Sequence, residues 1–183
     1  MDDMDEAQRF QEDERLTRAQ ELFQGAYARQ QAGQYDAAIR LFQESIAVYP
    51  TAEAHTFLGW TYSFQGRLDE AIAECHRAIE VDPDFGNPYN DLGVYLMHQG
   101  HLDEAIPWLE KAKQATRYEP RQFPYLNLGR IRMAKGQWHE AVREFEKAVE
   151  IMPDDTGARK TLAELRARFN GKNPVTAAPP SGS

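Results

Sequence analysis

Few side chains in this sequence have the type and spacing to do chemistry. Cys75 is the only cysteine. A nucleophilic thiolate needs a cation or a helix N-terminus to lower its pKa. Cys75 instead falls on an apolar stripe with Leu68, Ile72 and Ile79, the place of a small buried hydrophobe. His98 and His101 flank Gly100 and could share a metal with Asp103 across a turn, but two imidazoles without a third clear ligand fall short of a metal site. The acidic pairs Asp69-Glu70 and Asp103-Glu104 have the residue types of an acid–base pair, yet they stand where helices begin, so capping explains them better. The glycines recur with a fixed period and form no phosphate-binding loop. Catalysis needs convergent acid–base, nucleophilic or metal-ligating groups. Their absence from the pattern predicts a non-catalytic chain with no cofactor, no metal and no catalytic residue.

What positions the side chains is a set of helices. In "TFLGWTYSFQGRLDEAIAECHRA", Gly59, Gly66, Ala71 and Ala78 lie 34 residues before Gly93, Gly100, Ala105 and Ala112. Gly129, Gly136, Ala141 and Ala148 repeat the spacing with an offset of 36. Between glycines the apolar residues recur at three and four, which is helical periodicity, and no segment alternates like a strand. Gly33, Gly66, Gly100 and Gly136 are expected to end one helix in a left-handed conformation. The next helix is expected to start at Asp36, Asp69 or Asp103, with a carboxylate capping its N–H groups, and less well at His139. Pro50, Pro83 and Pro153 close the second helices. Glycine costs about 0.5–1 kcal/mol relative to alanine inside a helix. Gly59, Gly93 and Gly129 are therefore expected where two helices approach closely, facing Ala71, Ala105 and Ala141.

This pattern resembles the 34-residue tetratricopeptide repeat: an aromatic, Leu-Gly, an aromatic, then Ala, a large residue, Ala and Pro. Four repeats align, Ala19–Thr51, Ala52–Phe85, Gly86–Arg121 and Gln122–Asp155, of 33, 34, 36 and 34 residues. The second matches best, through Leu58-Gly59, Tyr62, Ala71, Ala78 and Pro83. The first diverges, as a repeat with one unburied face does. The third lacks its closing proline and carries two extra residues in "KQATRYEPRQFP", so its second helix is expected to continue further. Residues 156–170 are predicted as a capping helix that begins at Asp155 or Thr156 and buries Ala158, Leu162, Leu165 and Phe169. Residues 1–18 form an acidic extension, and residues 171–183, rich in Pro, Gly and small residues, are predicted to be disordered. The resemblance implies an all-α, right-handed α-solenoid of four tetratricopeptide helical hairpins plus a C-terminal capping helix.

Composition narrows the partner. The formal net charge is −8, which disfavours nucleic acid, and no apolar run approaches the ~20 residues of a membrane span. A single cysteine and an acidic start without the order of a secretory signal suggest a reducing, cytoplasmic setting. Residues 1–18 hold seven acids and three bases, whereas residues 156–183 hold one acid and five bases, Arg159, Lys160, Arg166, Arg168 and Lys172. End-to-end association of copies is therefore an alternative to a foreign partner, and a basic run of this kind is also an ordinary solvated helix face.

Tetratricopeptide arrays hold peptides or protein segments in a concave groove lined by the first helix of each repeat. That resemblance implies an adaptor, scaffold or chaperone-like module. One or two positions beyond the packing residues, the groove candidates are Phe23, Tyr27, Gln30 and Gln31; Glu53, Thr56, Trp60, Ser63 and Phe64; Asn87, Asn90, Asp91, Val94, Met97 and His98; and Phe123, Asn127, Arg130 and Met133. Trp60 lies two residues from the packing position Leu58 and on a different face from Tyr62, so it is expected to be exposed. Phe23, Phe64 and Met97 fit the groove or the spaces between helices. Asn90 and Asn127 fit the groove, the surface or caps, and Arg130 fits a carboxylate clamp or a pair with Asp91. Co-chaperones that hold the acidic tail of heat-shock chaperones use lysines, asparagines and an arginine at places where this sequence has Phe23 and Tyr27, or Thr56 and Trp60, then Phe57 or Asp91. That clamp is missing. Of the asparagine ladder of O-linked N-acetylglucosamine transferase, only Asn127 matches; its equivalents are Gln24, Phe57 and Asp91.

Overall fold

The computed structural model describes residues 2–170, with side chains from 8 to 168; the predicted tail 171–183 and the side chain of Phe169 lie outside the described residues. Nine helices run along those residues: α1 (Asp2–Gln31), α2 (Tyr35–Val48), α3 (Ala52–Phe64), α4 (Leu68–Val81), α5 (Asn87–His98), α6 (Leu102–Gln114), α7 (Phe123–Ala134), α8 (Trp138–Ile151) and α9 (Thr156–Asn170). They fall into two compact lobes, the first ending at Pro120 and the second beginning at Arg121.

The hairpin turns follow from four glycines. Gly33, Gly66, Gly100 and Gly136 have φ of 71°, 74°, 83° and 71°, the left-handed region that side chains avoid. The aspartates expected as N-caps do not cap. The caps are Gln34, Arg67 and His101, none with a side-chain cap bond, and Asp36, Asp69 and Asp103 are the second residues of their helices, in the first turn, where a carboxylate favours the helix dipole. Two of them tie successive repeats instead. Gln65 Nε2 donates to Asp36 Oδ1 at 2.8 Å and Gln99 Nε2 to Asp69 Oδ1 at 2.7 Å. Asp155 is a true cap, accepting from the Ala158 N–H at 2.9 Å.

In the first lobe, α1/α2, α3/α4 and α5/α6 form hairpins that pack in chain order, and the first helices also touch, α1 with α3 and α3 with α5. Phe42, Leu92 and Leu109 are wholly buried there, each worth about 1.5–3 kcal/mol of burial. Gly59 packs as expected, since a Cβ there would lie 3.1 Å from the Ala71 carbonyl oxygen. Gly93 and Gly129 face larger neighbours than expected: a Cβ would meet Leu109 Cγ at 2.5 Å in one case and Phe145 Cε2 at 2.7 Å in the other. Both neighbours lie four residues beyond the alanine anticipated, one turn further along the partner helix.

Polar groups complete the lobe. Ser45 Oγ donates to the Ala19 carbonyl at 2.8 Å, and Arg15 Nη2 donates to the Val48 carbonyl at 2.8 Å, fixing the long α1 to α2. His55 Nδ1 meets Glu74 Oε2 at 2.7 Å in a buried pair, and Arg77 bonds the other Glu74 oxygen.

The second helix of the third repeat does not run on. It stops at Gln114, and the connection turns back onto the start of α5: the Gly86 N–H donates to the Arg117 carbonyl at 2.9 Å and the Arg117 N–H to the Asp84 carbonyl at 3.1 Å. Tyr118 is thereby pressed on Gly86, where a Cβ would lie 2.4 Å from Tyr118 Cβ. Tyr89, Ala112, Ala115 and Tyr118 share one buried cluster. In the second lobe, α9 covers α8 by burying Ala158, Leu162 and Leu165 against Leu126, Ala141, Phe145 and Ala148.

Candidate functional site

Two features of the first lobe qualify as a binding site: a row of aromatic rings on the first helices and a carboxyl at its end. Phe57, Trp60 and Phe64 share one stripe of α3 by their spacing of three and four, as do Phe23 and Tyr27 on α1. Phe57 is the hub. Its ring meets Phe23 at 5.2 Å, Tyr27 at 5.6 Å and Trp60 at 5.6 Å, all edge to face. Trp60 stacks on Phe64 at 5.9 Å, and Tyr35 of α2 stacks on the other side at 5.4 Å. Tyr27, Trp60 and Phe64 nonetheless remain 39%, 44% and 50% exposed. Rings that brace one another yet face solvent form a rigid apolar platform, which takes up apolar side chains, amide faces or cations at little entropic cost. At its α1 end a cleft of about 850 Å³ opens between Leu16, Gln20 and Phe23 and the start of α3 at Thr51 and Glu53.

Several anticipated lining residues are turned inward. Gln30 is buried and donates to Thr61 Oγ1 at 2.9 Å, and Thr56 is buried and donates to the Ala52 carbonyl at 2.8 Å. Their polar groups join helices, so little is left for a ligand. Asn90 is also buried, its Nδ2 3.4 Å from Asp91 Oδ1. Asn87 and Met97 are partly buried and His98 is exposed. Phe57, the centre of the platform, was not among the lining candidates, although its spacing with Trp60 and Phe64 carries the signal.

Asp91 stands on α5 where Phe57 stands on α3, 34 residues earlier. Its side chain is partly buried, and desolvation, opposed by the Asn90 hydrogen bond, pushes its carboxyl up to about 7. Burial raises the phenols of Tyr95 and Tyr118, and the Asp91 charge raises them further. Neither hydroxyl has a hydrogen-bond partner. Cys75 is fully buried and its thiol is pushed up by burial, then by Asp91 and Glu74, which is the opposite of what a nucleophile needs. Among the described residues no group of three or more His, Cys, Asp and Glu side chains could hold a metal, and His101 faces Glu104 at 3.6 Å.

The remaining candidates belong to the second lobe. Phe123 and Arg130 are exposed, Met133 is partly buried and Asn127 is buried. Arg130 Nη1 donates to Asn127 Oδ1 at 2.8 Å on α7, a partner other than the expected Asp91. A cleft of about 270 Å³ lies between Arg130 and Met133 on one side and Asp155 and Ala158 on the other.

Helical hairpins with glycine at these turns invite comparison with known repeats. Tetratricopeptide repeat models match residues 23–84, 62–120 and 123–155. The chain belongs to the tetratricopeptide repeat family. Its fold is that family's all-α helical-repeat solenoid. Among curated tetratricopeptide relatives, the human mitochondrial import receptor subunit TOM70 is 27% identical over 157 residues, covering 81% of this chain and 25% of TOM70; the chain thus spans a quarter of that protein. Among solved structures, Pseudomonas aeruginosa PilF superposes with a TM-score of 0.79 at 22% identity, covering 86% of this chain and 71% of PilF. The first tetratricopeptide domain of Spaghetti (RPAP3), bound to the HSP90 peptide SRMEEVD, gives 0.60 at 21% identity, covering 65% of this chain and 95% of that one. Tetratricopeptide proteins generally mediate protein–protein interaction, and among the described residues no helix is long and apolar enough to cross a membrane.

Proposed function

We propose that this chain is a non-catalytic interaction module, an adaptor or scaffold, whose first lobe holds a segment of another protein on the aromatic platform of α1 and α3. The observation that carries the reading is the exposure of Tyr27, Trp60 and Phe64 as one braced row. A monomeric surface gains nothing from leaving such rings in water, whereas an interface uses them as anchors. The relative solved with the peptide SRMEEVD supports the use of the fold for peptide binding. The residue-level support is the platform together with the adjoining cleft, which offers room for an extended chain. A reducing, cytoplasmic setting belongs to the same reading.

The test is affinity capture from native lysate with the wild-type chain and a Tyr27→Ala/Trp60→Ala/Phe64→Ala variant of equal helicity by circular dichroism. Partners retained by the wild type and lost by the variant are expected. A set of captured proteins identical for the two chains would remove the platform as the site.

Self-association is a second reading favoured by one observation. Residues 1–120 hold twenty-two acids and ten bases, a formal −12, whereas residues 121–183 hold seven acids and eleven bases, a formal +4. Opposite lobes of two copies therefore attract at low salt.

A further inference from the structure

The geometry points to a basic occupant: the segment on the first lobe's platform carries a lysine or arginine whose cation pairs with the Asp91 carboxylate. This rests on the reading of the platform as a protein-segment site. Asp91 takes the place in the row of first helices that Phe57 takes one repeat earlier, so an anion succeeds the aromatic centre. Asp91 is partly open to solvent, and among the described residues no basic side chain pairs with it; the Asn90 amide is at 3.4 Å. Glu53 and Asp82, by contrast, share Arg117 as a cationic partner.

Two buried hydroxyls lie within reach of the same charge. Tyr95 and Tyr118 are 4% and 5% exposed, and neither hydroxyl is partnered. These phenols are buried and neutral and bring no cation to the carboxylate, so a cation from outside, which brings several hydrogen-bond donors, is the partner it still lacks. The stem of such a side chain is apolar and suits the exposed Trp60 ring. The whole first lobe agrees in sign, since its −12 attracts bases and repels an acidic tail. We assign the occupant to another protein rather than to α9 of a second copy because two of the four α9 bases are engaged at home: Arg166 bonds Glu146 at 2.7 Å and Arg168 lies over the Trp138 ring at 4.0 Å.

The experiment selects binders from a displayed library of random twelve-residue peptides against the full chain at pH 8, followed by titration of synthetic winners into wild type, Trp60→Ala and Asp91→Asn. Lysine or arginine enrichment beside apolar residues is expected, with at least tenfold weaker binding to each variant. Asp91→Asn keeps the shape and removes a partly buried charge, so it folds; in case it does not, tenfold weaker wild-type binding of winners whose lysine or arginine is replaced by glutamine reads the need for the basic side chain. Winners that need Trp60 but lack basic enrichment, or bind Asp91→Asn equally, overturn the basic occupant and leave the platform standing. Winners indifferent to Trp60, or none at all, overturn both. A dimer of the chain alone that Asp91→Asn abolishes would transfer the site to a second copy and overturn the assignment to another protein.

Discussion

Asp91 is the residue at which electrostatics and recognition meet. Its carboxyl, pushed by burial up to about 7, holds a proton in the folded state at pH values where the unfolded chain has released it. The stability this contributes is fully present below about pH 4 and is lost as pH rises through about 7. Asp91→Asn is therefore expected to raise thermal stability at pH 8, by roughly 2–4 kcal/mol, and to change it far less at pH 5; melting curves at the two pH values read the difference. The groups that feel its charge are Cys75 on α4, Tyr95 on its own helix and Tyr118 from the connection, all neutral in this range. Gly93 and Gly66 give a contrasting pair. Gly93→Ala forces a Cβ against the buried Leu109, an overpacking expected to cost about 1–3 kcal/mol. Gly66→Ala meets nothing within 4 Å and pays only for its left-handed φ, about 1 kcal/mol. Urea unfolding separates them. The sequence showed that Gly93 must pack closely, but it named Ala105 as the neighbour, because repeat spacing identifies facing helices before it identifies the turn in contact. Trp60 was legible as exposed, whereas the electrostatic surroundings of Asp91 were not, since Tyr118, which feels its charge, comes from an irregular segment.

At the scale of elements, periodicity located the hairpins. Gly33, Gly66, Gly100 and Gly136 end their helices as the pattern required, because a left-handed φ is a local property of glycine. The caps were misread: Asp36 and Asp69 lie near helix starts in sequence, yet their carboxylates serve Gln65 and Gln99 of the following repeats, a long-range choice that local propensity cannot show. The connection after α6 had no period to read, and its return onto Gly86 depends on tertiary contacts. The α3/α4 hairpin is held by a buried polar pair, His55 with Glu74. Glu74→Ala is expected to destabilise by about 3–5 kcal/mol, and a His55→Ala/Glu74→Ala double variant by less than the sum, since neither buried member is then left without the other and the exposed Arg77 returns to water. A double-mutant cycle in urea reads that coupling.

For the whole molecule, the family was legible from four glycine-marked repeats, while the break into two lobes at Pro120 and Arg121 falls in the segment that departs from the repeat length. Charge separates the lobes as well. If copies associate through it, the solution mass rises with protein concentration at low salt and returns to 21.0 kDa at about 0.5 M salt, where the Debye length is only a few ångströms; light scattering across salt reads this directly. The central claim, that the braced aromatic row of the first lobe receives a protein segment, is tested most directly by the indole N–H signals of the three tryptophans, Trp60, Trp108 and Trp138, in a nitrogen-15 spectrum during titration with a library-selected peptide. The Trp60 signal, assigned through Trp60→Phe, is expected to shift with the peptide while that of Trp138 stays in place. A shift confined to Trp138, or saturation of binding without movement of Trp60, would contradict the claim.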